Sequence, residues 1–440
     1  MSSKEPSFTF IDLFAGIGGF HAALSALGGE CVYASEIDEA AAKIYQHNWE
    51  MEVHGDIVPE TEPVVKVPKH DVLAAGFPCQ PFSKSGFQRG MDEARGTLFY
   101  NICRILEERR PSLVLLENVR NIAGPRHTHE WDVIIRSLRE FGYQVSSTPA
   151  VFSPHLLPPD MGGRPQIRER VFIVGTYVGE GAAHEEVEPV VTNRPLDGWD
   201  PQQWSLKDDI LEREDEIVDR ANYELTETEQ HWVHVWSEFV LRLRALGVPK
   251  LPGFPIWVDA FVHEDDLFIP EGTPGWKANF LRKNSEFYSQ YRSVLDPWLD
   301  EFNGLADMPP SRRKFEWQAQ DAQSLEECIM HFRPSGIRVK RPTYVPALVA
   351  ITQTTILGSP LRRLTPREAA RLQGLPDSYE FPGQSDALTY KQMGNGVNVG
   401  VAYHVLRSQM ARSGPRWEAL AASTPVNADE ALQEITKQVV

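Results

Sequence analysis

The sequence predicts an α/β fold built on a mostly parallel sheet. Over residues 8–175, short apolar runs alternate with helix-spaced patterns, the signature of βαβ units. The first apolar run breaks into glycines and then continues as a helix. Later runs end in polar or charged residues, and ligands in such folds bind at the C-terminal ends of the strands.

Each element has its own signal. Phe8 to Phe14 (FTFIDLF) is a strand broken by Gly16, Gly18 and Gly19, and Phe20 to Leu27 has helical spacing. Glu30 to Ile37 is a second strand and Asp38 to Asn48 a second helix. Asp71–Ala75, Leu113–Leu116 and Arg170–Val174 are further short strands. The texture changes after Tyr177. Residues 180–230 are acidic and poor in strand signals, and a helix follows from Thr226 to Leu246. Residues 247–345 are rich in Trp and Pro and read as irregular. In LTPREAARLQGL, Thr365 is an N-cap and Pro366 the first helical residue. Val397 to Met410 is a last helix after a Gly-Asn-Gly break.

Composition narrows the class. Lys and Arg number 44 against 61 Asp and Glu, a formal charge of −17 over 440 residues. At face value this argues against a polyanion, but charge acts only within a Debye length. Ten acids against three bases lie in 205–229, and eight bases against one acid in 331–371. The four cysteines (31, 79, 103 and 328) form no C-x-x-C pair, so neither a disulfide framework nor a cysteine zinc site is expected. The 13 histidines show no clustered ligand spacing, so no metal site is expected. No apolar stretch reaches the ~20 residues that cross a bilayer, and MSSKEPSFTF lacks an apolar signal-peptide core. The expectation is a cytoplasmic protein with reduced thiols and no membrane association.

Three segments carry chemistry. FIDLFAGIGGF is a strand, a glycine turn and a helix. His21 stands where a third glycine would be needed for G-x-G-x-x-G, which disfavours a dinucleotide pyrophosphate. With Glu36 ending the second strand, where a carboxylate suits ribose hydroxyls, a nucleoside such as S-adenosylmethionine fits better. In AGFPCQPFSKSG, Cys79 is barred from regular structure by Pro78 and Pro81 and follows a central strand. Cys31 heads a strand, Cys103 and Cys328 are read in helices, and all three are core residues. Phe82 to Gly96 suits a mobile lid. A thiolate nucleophile needs a partner that manages protons on the substrate. LLENVRNI places Glu117 and Asn118 just past the end of the next strand. Asn118 serves as helix cap and leaves Glu117 free. In QIRERVFIVG, Arg168 and Arg170 stand at period two and share a face.

These residues resemble the DNA (cytosine-5) methyltransferases of bacterial restriction–modification systems. FIDLFAGIGGF is similar to their first motif, PCQPFS to their nucleophile motif and ENV to their catalytic glutamate motif. QIRERVFIVG, RRLTPREAARLQGLPDSY and QMGNGVNV resemble later motifs, in the family's order. The resemblance implies a Rossmann-like S-adenosylmethionine-dependent methyltransferase sheet with a smaller, irregular target-recognition domain. It implies a catalytic domain over 1–178, a recognition domain over 179–385 and a return to the catalytic domain over 386–440.

The implied mechanism is attack of Cys79 on C6 of a flipped cytosine, with Glu117 at N3 and methylation at C5. Arg168 and Arg170 would hold the nucleotide and Glu117. The implied cofactor residues are Phe14, Gly16, Gly18, Glu36, Ile37, Asp56, Ile57, Pro78, Leu98, Asn395 and Val397. Ile37 departs from the aromatic that many relatives carry there, and Asp12 reads as a buried turn-former rather than a ligand. Gln80, Ser83, Arg89, Arg333, Arg338, Lys340 and Arg341 are the implied DNA contacts. The implied partner is double-stranded DNA, with a cognate restriction endonuclease acting on the same site without direct contact. The protein is expected to act as a monomer. Two other readings use the same residues. An RNA methyltransferase is disfavoured by the long recognition region. A DNA-binding protein without catalysis is disfavoured by Cys79, Glu117 and Arg168 together.

Overall fold

A computed structural model describes residues 6–78, 97–348 and 354–432. The chain divides into two compact units. One comprises residues 1–204, 346–351 and 366–440, the other 205–345 and 352–365. These limits lie inside the 179–385 region expected from sequence. In the first unit, Trp199 and Trp204 both donate to the His155 carbonyl, and the Tyr379 hydroxyl donates to the Ile17 carbonyl.

The large unit is organised by a seven-stranded sheet. Its strands are β1 (Phe8–Leu13), β2 (Gly29–Ser35), β3 (Val72–Gly76), β4 (Leu113–Val119), β5 (Tyr143–Val145), β6 (Ala150–Phe152) and β8 (Arg170–Tyr177). A two-residue strand, β7 (Gln166–Ile167), lies outside it. The order is β2-β1-β3-β4-β8-β5, with β6 also on β8. β1, β2, β3 and β4 are parallel, whereas β8 runs antiparallel to β4, β5 and β6. Six of the seven strands thus point the same way and β8 alone is reversed, which is the mostly parallel sheet expected. Its strands read as near-continuous apolar runs because both faces are covered, with Leu73, Ala75, Val114 and Leu116 fully buried.

Several boundaries shift for identifiable reasons. β4 continues through Val119 because β8 extends its ladder to the Val119–Arg170 pair. Glu117 therefore lies inside the strand, not past it. Asn118 caps no helix. Its amide donates to the Phe77 carbonyl at 2.8 Å and ties β4 to the segment after β3. Asp38 does cap the helix Glu39–Trp49, accepting from Ala40 and Ala41 N–H. Cys328 precedes a strand and lies in no helix.

The small unit is more regular than its sequence suggests. Its strands are β9 (Ile256–Trp257), β10 (Lys314–Gln318), β11 (Ile329–Arg333), β12 (Gly336–Lys340), β14 (Ile356–Leu357) and β15 (Arg362–Arg363), with β13 (Val345–Pro346) outside the sheet. The order is β15-β14-β11-β12-β10-β9. One face buries Phe315, Trp317, Met330, Phe332, Ile337 and Val339 against Trp236, Phe239, Phe287 and Trp298. Those partners come from the helices Glu227–Ala245 and Gly275–Glu301. The first starts on a capping box formed by Thr226 and Glu229. The second is kinked at Tyr291 and contains Pro297, which hid it in the sequence. Trp236, Trp298 and Trp317 are buried in this core, whereas Trp276 is 61% exposed.

In the large unit, the helix Val399–Met410 closes against residues 158–163 through a glycine pair. A Cβ on Gly400 would sit 2.0 Å from the Gly162 carbonyl oxygen, and backbone cannot yield cheaply. Gly400→Ala is expected to cost about 1–3 kcal/mol, read as a lower urea midpoint at unchanged m-value.

Candidate active site

A cavity of about 530 Å³ opens at the C-terminal ends of β1 to β4. It forms where the chain order reverses, since β1 is flanked by β2 on one side and β3 on the other. Such a switch point leaves a crevice between the loops. The loop after β1 is bent by left-handed backbone at Phe14 (φ 56°), Gly16 (φ 56°) and Gly18 (φ 87°). The bend turns the Gly16 N–H toward Glu36, whose Oε2 accepts it at 2.7 Å. Glu36 Oε1 accepts the Asp38 N–H at 2.8 Å. The carboxylate is thereby held by backbone on both sides, with a lone pair on each oxygen left for a ligand. Ile37 beside it is 74% exposed, an apolar side chain without apolar cover. Asp56 Oδ1 accepts the Val58 N–H at 3.0 Å. Phe14, Ile57, Pro78, Leu98 and Asn395, read from sequence as cofactor residues, also line this cavity.

Gly18 and Val397 do not line the cavity. A Cβ on Gly18 would sit 2.3 Å from the Trp49 indole nitrogen, so this glycine is needed for packing as well as for its φ. Val397 packs its Cγ1 and carbonyl against Gly19. Asp12 is buried and accepts the His21 N–H at 3.2 Å, the turn-forming role expected of it. Sequence reading missed Lys391, whose ammonium meets Asp38 at 3.3 Å on the cavity lining. Its position just before Asn395 was the available signal.

The same cavity holds Glu117. β3 and β4 pair Gly76 with Glu117, and Glu117 Oε2 lies 3.7 Å from where a Cβ on Gly76 would be. Arg170 opposes Val119 across the β4–β8 ladder. Glu117 is two residues back on the same face, so the diagonal is within reach of a long side chain. Arg170 Nε meets Glu117 Oε1 at 3.0 Å, with both side chains largely buried. Burial pushes the Glu117 carboxyl above its ordinary range, and the positive charges of Arg170 and Arg168 offset only part of this.

The two arginines do different things. Arg168 precedes β8 and is buried. Its guanidinium donates to the Gly394 carbonyl at 3.0 Å and to the Gly396 carbonyl. It thus holds the C-terminal end of the helix Asp386–Asn395, while Arg170 alone of the two touches Glu117. Cys79, Gln80, Ser83 and Arg89 lie outside the described residues, as does the whole segment Phe82 to Gly96 read as a lid. Arg333, Arg338, Lys340 and Arg341 lie in the small unit.

A family model described as C-5 cytosine-specific DNA methylase matches residues 8–410. The chain belongs to this family. Among similar curated proteins is the type II methyltransferase M.AluI of Cellulosimicrobium cellulans, 45% identical over 97% of this chain and 95% of that protein. M.HhaI of Haemophilus parahaemolyticus is 42% identical over 90% of this chain and 92% of its own. M.HpaII of Haemophilus parainfluenzae is 30% identical over 89% and 86%. The protein is accordingly a DNA (cytosine-5) methyltransferase.

In this cytosine-5 methylase Glu117 and Glu36 line one cavity. Arg170 lowers the Glu117 pKa, so removing it must raise that pKa further. Infrared titration of the carboxyl, assigned by difference against Glu117→Gln, should place its midpoint above the ordinary carboxylate range. In Arg170→Met the midpoint should move higher still, and a downward move would contradict the electrostatics described.

Proposed function

We propose that the protein transfers a methyl group from S-adenosylmethionine to C5 of a flipped cytosine in duplex DNA, with Cys79 as nucleophile. The observation that carries this reading is the shared cavity. Glu117, Arg170 and the Glu36 crevice line one space, and the chain reaches Cys79 directly after Pro78 on its wall. The residues present fit a nucleoside. Glu36 suits ribose hydroxyls, Phe14 and Ile37 offer apolar faces to adenine, and Asp56 keeps an oxygen for its amino group. S-adenosylmethionine, when bound, supplies an electrophilic methyl on sulfur.

The chain's own groups handle the cytosine. C5 is a poor nucleophile until Cys79 thiolate adds to C6. Glu117 gives or shares a proton at N3, so the ring accepts the electron pair from sulfur. Its raised pKa keeps more of that proton in place near neutral pH than an ordinary carboxylate would. After C5 is methylated, its proton leaves, the 5,6 double bond re-forms and Cys79 departs as thiolate. Arg170 holds Glu117 in position, and Arg168 holds the helix end that carries Asn395. The small unit reads the duplex, and the modification protects host DNA from an endonuclease with the same target.

Cys79→Ser is expected to abolish transfer of tritiated methyl to duplex DNA. Wild type should form a covalent complex with duplexes containing 5-fluorocytosine, which cannot release a C5 proton. Appreciable turnover by the serine variant would sink the nucleophile assignment. Glu36→Ala removes the acceptor for two backbone N–H groups and for the ribose. Calorimetry should show cofactor affinity falling at least about tenfold, with the fold retained.

A further inference from the structure

The small-unit sheet has two unlike faces. Along β10 and β12 the residues Phe315, Trp317, Ile337 and Val339 enter the core, so Glu316, Gln318, Arg338 and Lys340 point the other way. The ladder sets Glu316 directly opposite Arg338 and Gln318 opposite Lys340. On the other side of β12, His331 opposes Arg338. Toward β11 this face is closed, since His331 is buried and its Nε2 meets the Thr355 hydroxyl at 2.9 Å. Toward β10 it is open, with Gln318 exposed and Arg338 30% exposed.

Glu316 spends both oxygens on its neighbours. Oε2 accepts from Arg338 Nε at 2.9 Å, and Oε1 accepts from the Gln318 amide. Among the described residues, no other hydrogen-bond partner meets the Arg338 guanidinium or the Gln318 amide. Arg338 therefore presents both Nη groups as a fork whose orientation is already set. Gln318 keeps one N–H and its Oε1, a donor–acceptor pair. Other arginines of the unit are used up differently. Arg341 meets Asp321, Arg362 meets Glu214 and Arg363 meets Glu229.

We propose that this Glu316-braced pair is a base-reading element, with Arg338 donating to O6 and N7 of a guanine in the target and Gln318 contacting the neighbouring base edge. The chemistry matches, because a fork of parallel N–H donors fits the two acceptors guanine shows in the major groove. Bracing by a carboxylate removes rotamer freedom before DNA arrives, so less is lost on binding. A phosphate contact needs charge but no such brace. The assignment rests on the methyltransfer reading and names where that reaction draws its sequence selectivity.

The test is methylation of a duplex pool randomised around cytosine, read by sequencing after bisulfite conversion. Wild type should return a motif containing guanine. Arg338→Ala should lower kcat/KM on that motif by about ten- to a hundredfold and relax preference at one guanine position only. Arg338→Lys keeps the charge without the fork and should relax the same position. Glu316→Gln should do so more weakly. Unchanged selectivity in all three variants would overturn the assignment. So would a loss uniform across sequences with a smaller salt slope, the mark of a phosphate contact. If Arg338→Ala fails to fold, the lysine and Glu316→Gln variants decide, with their unfolding midpoints and cofactor affinity as controls. Absence of C5 methylation by wild type would overturn the methyltransfer reading itself.

Discussion

The ion pair between Glu117 and Arg170 is the constraint around which the large unit is arranged. It exists because β8 runs against β4, which brings the first residue of β8 beside the last of β4. A parallel strand in that place would set Arg170 at the opposite end of the sheet. Breaking one side of such a buried pair typically costs about 3–5 kcal/mol, so the two side chains hold each other in place. Burial and the guanidinium charges act on the carboxyl in opposite directions, and burial wins. The result is a carboxyl that holds its proton more tightly than an ordinary one. Two residues before Arg170, Arg168 ties the C-terminal end of the helix Asp386–Asn395 into the same region through the Gly394 and Gly396 carbonyls.

Around that pair, backbone does most of the positioning. The left-handed turn at Phe14, Gly16 and Gly18 aims an N–H at Glu36, and the Asp38 N–H meets the other oxygen. Neither contact involves a flexible donor. A carboxylate fixed this way offers a ligand defined lone pairs at little entropic cost. Gly18 also makes room for Trp49, so the conformation of the turn and the packing of the next helix are settled by one residue.

Charge is settled locally rather than by the chain total. The acidic segment at 205–229 and the basic run at 331–371, both counted in the sequence, meet within the small unit. Glu214 holds Arg362 and Arg220, and Glu229 holds Arg363. Burial would raise both carboxyls, but these hydrogen bonds outweigh it and hold them below their usual range. The segment at 205–229 thus neutralises part of the basic run. What is left is a smaller set of oriented groups.

By itself, the sequence determined the catalytic half. The glycine turn, Glu36, Glu117 and the Arg168–Arg170 spacing are local signals, legible because strand ends and turns demand particular residues at particular offsets. The small unit was not legible. Its strands are short, its long helix contains Pro297, and its apolar residues follow no single period over 247–345. Only the tertiary structure decided that Asn118 bonds the Phe77 carbonyl instead of capping a helix. It also separated the roles of Arg168 and Arg170, and it paired Glu316 with Arg338. Each of those outcomes depends on which strand lies beside which and in what direction. Cross-strand register is a relation between distant residues, and no spacing along one segment encodes it.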